Sequence, residues 1–265
     1  MTDFIRINRR LFLARLGKGT LAMAVLGACG DTGGTISTTP APTTSETDPA
    51  ITTSGPTTTA NPSTTPATDP GRFLRVNLGF VSAYIVARGS EVAVVDTGVS
   101  GSEGDIEAAL GAADLSWAEV AHLILTHHHP DHVGSMAAVL KAAAAATGYI
   151  GEADLDNVTS PRELVAVFDG DEIFGLQVIH SPGHTAGHIS LFDPVAAVLI
   201  AGDALNGDAG GVAGPNAQFS ADHDLALATV GKLAGYPYET IYFGHGEPVM
   251  SNGASLVSQL AASGY

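Results

Sequence analysis

Six consecutive residues, His127-His128-His129-Pro130-Asp131-His132, carry the densest chemistry in this chain. They read as His-x-His-x-Asp-His. In an extended segment, residues two apart project to the same side. His127 and His129 can therefore close on one cation while His128 faces elsewhere. The turn at Pro130 brings Asp131 and His132 to a second position. Imidazole and carboxylate are ligands that a borderline cation such as zinc accepts. No Ser-His-Asp arrangement or nucleophile elbow accompanies them, so nothing points to a covalent route.

Such a cluster needs rigid elements beneath it. Residues 122–125 are a strand that runs directly into the histidines. Residues 81–87 and 91–95 are apolar and β-branched, and Arg88-Gly89-Ser90 joins them as a hairpin. Further strands are expected at 147–151, 164–168, 172–180, 188–192, 196–201 and 240–243. Helices are expected at 103–111 after a Ser102 cap, 135–146 after Ser135, 222–234 after Asp222, and 252–262. Residues 207–218 are Gly-rich and are expected as a flexible loop forming one wall of a pocket. Interleaved strands and helices indicate a layered α/β domain.

Four more segments lie at strand ends: Asp96-Thr97-Gly98, Ser181-Pro182-Gly183-His184-Thr185-Ala186-Gly187-His188, Ala201-Gly202-Asp203-Ala204-Leu205 and Phe243-Gly244-His245-Gly246. With the histidine cluster they resemble, in order, the five motifs of the metallo-β-lactamase superfamily over residues 78–250. The resemblance implies an αββα sandwich, two mixed β-sheets flanked by helices, with the site along one edge. It implies two divalent metal ions, zinc by default with iron or manganese also compatible. His127, His129 and His184 would hold the first metal, and Asp131, His132 and His245 the second. Asp203 would bridge them. Asp96 would orient a ligand from behind, and His188 would hydrogen-bond near the site. His128, His180, His122 and His223 are expected to stay off the metals.

Within the superfamily the closer resemblance is to glyoxalase II-like hydrolases and lactonases. The expected reaction is hydrolysis of a carbonyl substrate by metal-activated water, with Asp131 or Asp203 accepting a proton. Twenty residues follow His245, so the glutathione-binding helical segment of glyoxalase II is expected to be missing. The lactonases compared carry a Tyr shortly after the bridging Asp, where this chain has Ala204-Leu205-Asn206. Residues 71–265 hold six basic and 22 acidic residues, a formal charge of −16. Such a surface repels phosphate backbones and excludes nucleic acid as a partner. An anionic substrate usually calls for a placed Arg or Lys. The expected small-molecule substrate is therefore a neutral ester, lactone or thioester. β-Lactam or phosphodiester hydrolysis, or a non-catalytic metal-bound binding lipoprotein, are the alternatives.

The amino terminus suggests export. Residues 1–28 hold five basic residues and one acid, then a short apolar run over 19–28. Ten apolar residues are too few for a bilayer core, which needs roughly 20, and the pattern fits a secretory signal. Arg9-Arg10-Leu11-Phe12-Leu13 resembles a twin-arginine signal. Leu26-Gly27-Ala28-Cys29 resembles a lipobox, and Cys29 is the sole cysteine. Lipid at Cys29 would anchor the exported chain to the outer face of a membrane. Residues 29–70 read as a Thr/Pro-rich stalk, and 71–265 as one folded domain.

Overall fold

The computed structural model describes residues 69–209 and 211–264. The export signal, Cys29 and the stalk up to Thr68 lie outside these residues. One sheet holds β1 (Arg72–Asn77), β2 (Ser82–Arg88), β3 (Glu91–Val95), β4 (Val120–Leu125), β5 (Thr147–Gly151) and β6 (Leu164–Val167), in chain order. Its first three strands pair antiparallel and its last four parallel. The second sheet holds β7 (Glu172–Ile173), β8 (Leu176–His180), β9 (Ile189–Asp193) and β10 (Val198–Ile200). Beyond a small hairpin of β11 (Asn206–Asp208) and β12 (Gly211–Ala213), it is completed by β13 (Thr240–Tyr242), parallel to β10. Five helices are described: α1 (Glu103–Ala112), α2 (Pro130–Val133), α3 (Met136–Ala142), α4 (His223–Leu233) and α5 (Gly253–Ser263).

Side-chain alternation along the strands makes three apolar layers. Ile85, Leu123 and Leu125 face outward onto Ile106 and Leu110 of α1 and Val139 and Leu140 of α3. Their neighbours Tyr84, Val86 and Ile124 face inward, against Val178, Ile189, Leu191 and Ile200 of the second sheet. On the far side Phe192, Leu199 and Ile241 pack on Val230 and Leu233 of α4 and Val257 of α5. Helix, sheet, sheet and helix are thus stacked as an αββα sandwich. Arg88 and Asp193 form a buried ion pair between the sheets, and Arg88 also bonds the Phe174 carbonyl.

Four local expectations need correction. Residues 172–180 are a tight hairpin, because Phe174 and Gly175 adopt φ of 56° and 75°. Two successive left-handed residues form the turn whose twist matches paired strands. The helix expected to reach residue 146 ends at Ala142, where the Arg162 guanidinium binds the carbonyls of Ala143 and Ala144. Ser135 does not cap that helix. Its hydroxyl instead donates to the Val99 carbonyl at 2.6 Å and accepts from the Ser102 amide at 2.8 Å. Residues 207–218 contain the β11–β12 hairpin rather than loop alone. Among the described residues no helix is long and apolar enough to cross a membrane.

Candidate metal centre

All five motif segments emerge at strand ends along one edge of the sandwich. Asp96 follows β3, and His127, His129, Asp131 and His132 follow β4. His184 and His188 lie in the turn between β8 and β9, Asp203 follows β10, and His245 follows β13. Their ligand-type atoms fall into three overlapping groups, each with all atoms within 4.8 Å: His127, His129 and His184; His127, His132 and Asp203; Asp131, His132 and His245. Asp203 stands at the centre. Its carboxylate is 3.3 Å from Nε2 of His132, 3.3 Å from Nε2 of His184 and 3.2 Å from Nε2 of His245.

Several of these atoms are buried without a hydrogen-bond partner: Nε2 of His127, Nε2 of His132 and Oδ1 of Asp203. A buried polar atom left unpaired is costly, and here the orphans face one another. The neighbouring glycines keep the space open. A Cβ on Gly244 would overlap Asp203 Oδ1 and His132 Cε1. Gly202, at φ of 56°, lies against the His188 ring. A donor set of imidazoles and carboxylates with a clear centre fits divalent cations.

The model of the Metallo-beta-lactamase superfamily matches residues 76–245. The chain belongs to this superfamily. A hydroxyacylglutathione hydrolase from Alkalilimnicola ehrlichii is 36% identical over 155 residues, covering 58% of this chain and 56% of that protein. The matched part thus spans little more than half the length of that relative. A metallo-beta-lactamase family protein from Thermus thermophilus superposes with a TM-score of 0.60 at 24% identity, covering 75% of this chain and 80% of the other. A protein solved in a di-iron-bound form gives a TM-score of 0.57 at 26% identity, covering 68% and 93%. Superfamily members typically bind two divalent metals, and the histidine–aspartate groups for them are present here.

Hydrogen bonds fix which ring nitrogen His127, His132 and His245 turn inward. The Thr126 hydroxyl donates to Asp96 at 2.8 Å, so it accepts from Nδ1–H of His127 at 3.1 Å. Nδ1–H of His132 donates to the same Asp96 oxygen at 2.8 Å. Nδ1–H of His245 donates to the Phe80 carbonyl at 2.6 Å. All three rings therefore present Nε2 to the centre. Asp96 holds this post at φ of 59°, in the left-handed region that few residues other than glycine, asparagine and aspartate adopt. His188 works from behind: its Nε2 accepts from the Asp203 amide at 3.0 Å, and its Nδ1–H donates to Ser181 at 2.8 Å. It orients Asp203 and leaves no nitrogen for a metal.

One buried residue was missed from sequence. Asp154, fully buried in the short 3-10 turn Glu152–Asn157, accepts from the His128 amide, the Thr185 hydroxyl and the Gly187 amide, at 3.1, 2.6 and 2.8 Å. It ties the His127–His129 segment to the segment bearing His184. The available signal was its place just after β5, level with the other strand ends. His128 turns towards it, with Nδ1 at 3.0 Å, and away from the centre. His180 bonds the Ala186 carbonyl, while His122 and His223 lie apart from all three groups.

The two halves of the centre differ in charge. Burial lowers the pKa of His127, His129 and His184, the last to about 4. These three are neutral imidazoles, ready to ligate. Burial also disfavours a charged His132 or His245, but carboxylates outweigh it. Asp203 and Asp96 raise His132 well above its usual range, and Asp131 and Asp203 raise His245 to about 10. A metal on Asp131, His132 and His245 must displace protons that a metal on the other three need not.

Two outcomes follow. Lowering the pH of metal-loaded protein from 8 to 5 should release the metal of the Asp131 group first, because its histidines regain protons first. Metal content followed by dialysis and elemental analysis checks this, and simultaneous loss of both metals would count against it. Replacing Asp154 with Ala should weaken metal retention about 10- to 100-fold at the His127–His129–His184 group, with the other group less affected. Equal weakening at both groups would show that Asp154 does not tie these two segments specifically.

Proposed function

We propose that this chain is a metal-dependent hydrolase of neutral esters, lactones or thioesters. The observation that carries the reading is a cavity of about 830 Å³ whose wall includes His129, Asp131, His184, Asp203 and His245 but, among the described residues, no Arg or Lys. A substrate there meets the ligand cluster directly and finds no guanidinium or ammonium side chain placed to pair with an anionic group. His127, His129 and His184 would hold one metal, Asp131, His132 and His245 the second, with Asp203 between them. Bound divalent cations would supply an acidified water and a polarised carbonyl. Zinc is the default, and iron or manganese suits the same N/O ligands.

The chain's own groups supply the rest. Asp203 is buried, and the neighbouring imidazoles hold its pKa well below the usual carboxylate range despite that burial. It stays anionic and fixed. Asp131 is also held ionised, by His245 and His132, and its side chain is 27% exposed against 8% for Asp203. Asp131 is thus the carboxylate able to take a proton from the attacking water and return it to the leaving group. The curated relatives named hydroxyacylglutathione hydrolase favour a thioester within this substrate range. The anchoring read from the amino terminus belongs to the same proposal: an exported enzyme tethered by lipid at Cys29, facing outward.

Replacing Asp203 with Asn should cut hydrolysis at least ~100-fold and lower metal content. A panel of lactone, thioester, ester, phosphodiester and β-lactam substrates, with metal analysis alongside, provides the measurement. Near-wild-type turnover with full metal content would remove Asp203 from its role. For the tether, the wild type should partition with membranes, and Cys29→Ala should remain unprocessed at that site. Mass spectrometry finding an unmodified mature terminus elsewhere would overturn the lipid anchor.

A further inference from the structure

The reaction centre opens into a cavity with an apolar rim. Phe80 is 63% exposed and Phe219 is 59% exposed, and both line that cavity. Val99, 36% exposed, adds to the same wall. Large apolar side chains left in water near a reaction centre mark a binding surface more readily than scattered ones do. The two aromatics are placed differently. Phe80 sits at the tip of the β1–β2 turn, where its carbonyl accepts from His245 and its ring stacks on the His245 ring with centroids 6.0 Å apart. Phe219 lies beyond the β11–β12 hairpin and also lines a smaller, adjoining chamber of about 440 Å³. It therefore stands at the partition between the two spaces.

The smaller chamber has a different lining. His128, Asp154, Asn157, Thr185, Gln218 and Ser220 contribute to its wall, with no Arg or Lys among the described residues. The site as a whole has a larger, mainly apolar space and a smaller one with several polar side chains in its wall, and both reach His129 and His184. A short, compact acyl group would leave the Phe80 and Phe219 rings in water. A long apolar one would cover them.

We propose that Phe80 and Phe219 form a clamp for an apolar acyl arm, so that the preferred substrate is a neutral acyl compound with a medium-to-long hydrocarbon chain. This rests on the hydrolase reading above and adds its specificity. Each methylene taken from water by the rings should contribute about 0.8 kcal/mol, close to a fourfold gain per carbon. An arm of several carbons fits a cavity of about 830 Å³. The gain should cease once the arm projects past the rings. Phe219, at the partition, should also limit branching, because a branch directed towards the smaller chamber would meet its ring.

The test uses the metal-loaded full chain and a series of uncharged acyl thioesters and matching oxygen esters, from acetyl to decanoyl. In the wild type, kcat/KM should rise about threefold to fourfold per methylene before levelling off. In Phe219→Ala and in Phe80→Leu the slope per methylene should fall at least twofold, whatever the absolute rate, and Phe219→Ala should accept branched arms better. Met250→Ala, which removes an exposed side chain outside the cavity, serves as the control and should keep the wild-type slope. Calorimetric titration with the corresponding uncharged fatty amides separates binding from turnover. Length-dependent binding without hydrolysis would leave the clamp standing and reject the hydrolase reading. Hydrolysis that is flat with chain length, or variants that lower every substrate by the same factor, would overturn the clamp.

Discussion

Everything in this site depends on holding one carboxylate, that of Asp203, among several imidazoles in a buried space. Two divalent cations about 4 Å apart repel by roughly 16 kcal/mol at an effective dielectric near 20. Neutral histidines alone cannot offset that. An anion lying between the cations can, and the Asp203 carboxylate lies within 3.3 Å of Nε2 of His132, His184 and His245. Without metals the same carboxylate is balanced by protons on His132 and His245. Metal ions and protons thus compete for one set of atoms, and pH becomes a direct control on loading.

The αββα sandwich is a means of meeting that constraint. Ligands far apart in the chain, from His127 to His245, must arrive at one point with their inner nitrogens aimed correctly. Strand ends provide rigid points of departure, and a few buried side chains complete the alignment. Asp96 sets the rings of His127 and His132 through one carboxylate, His188 sets the backbone of Asp203, and Asp154 ties the first histidine segment to the segment of His184. Removing one partner from a buried charged network typically costs about 3–5 kcal/mol. These supports therefore carry stability as well as geometry. Gly202 and Gly244 leave room that any larger residue would fill.

Much of this was legible in the sequence, and for identifiable reasons. The His-x-His-x-Asp-His run after a strand announced its chemistry, because period-two spacing forces His127 and His129 to one side while His128 turns away. Apolar alternation marked most strands, and Asp222 was a readable helix cap because its side chain accepts from the Leu225 amide. Other features were hidden because they depend on distant partners. Arg162 stops the helix after Ala142 from the far side of β5. Ser135 looks like a cap but bonds the Ser102 amide and the Val99 turn. Asp154 has no motif of its own, and its role appears only when three separate segments meet around it. The hairpin at Phe174-Gly175 required a left-handed phenylalanine that composition does not suggest.

The most direct measurement of the central claim is anomalous diffraction at the metal edge on crystals of the metal-loaded chain. The expected result is two peaks, one among His127, His129 and His184 and one among Asp131, His132 and His245, with the Asp203 carboxylate between them. A single peak placed away from Asp203, or none at full metal occupancy in solution, would contradict the account.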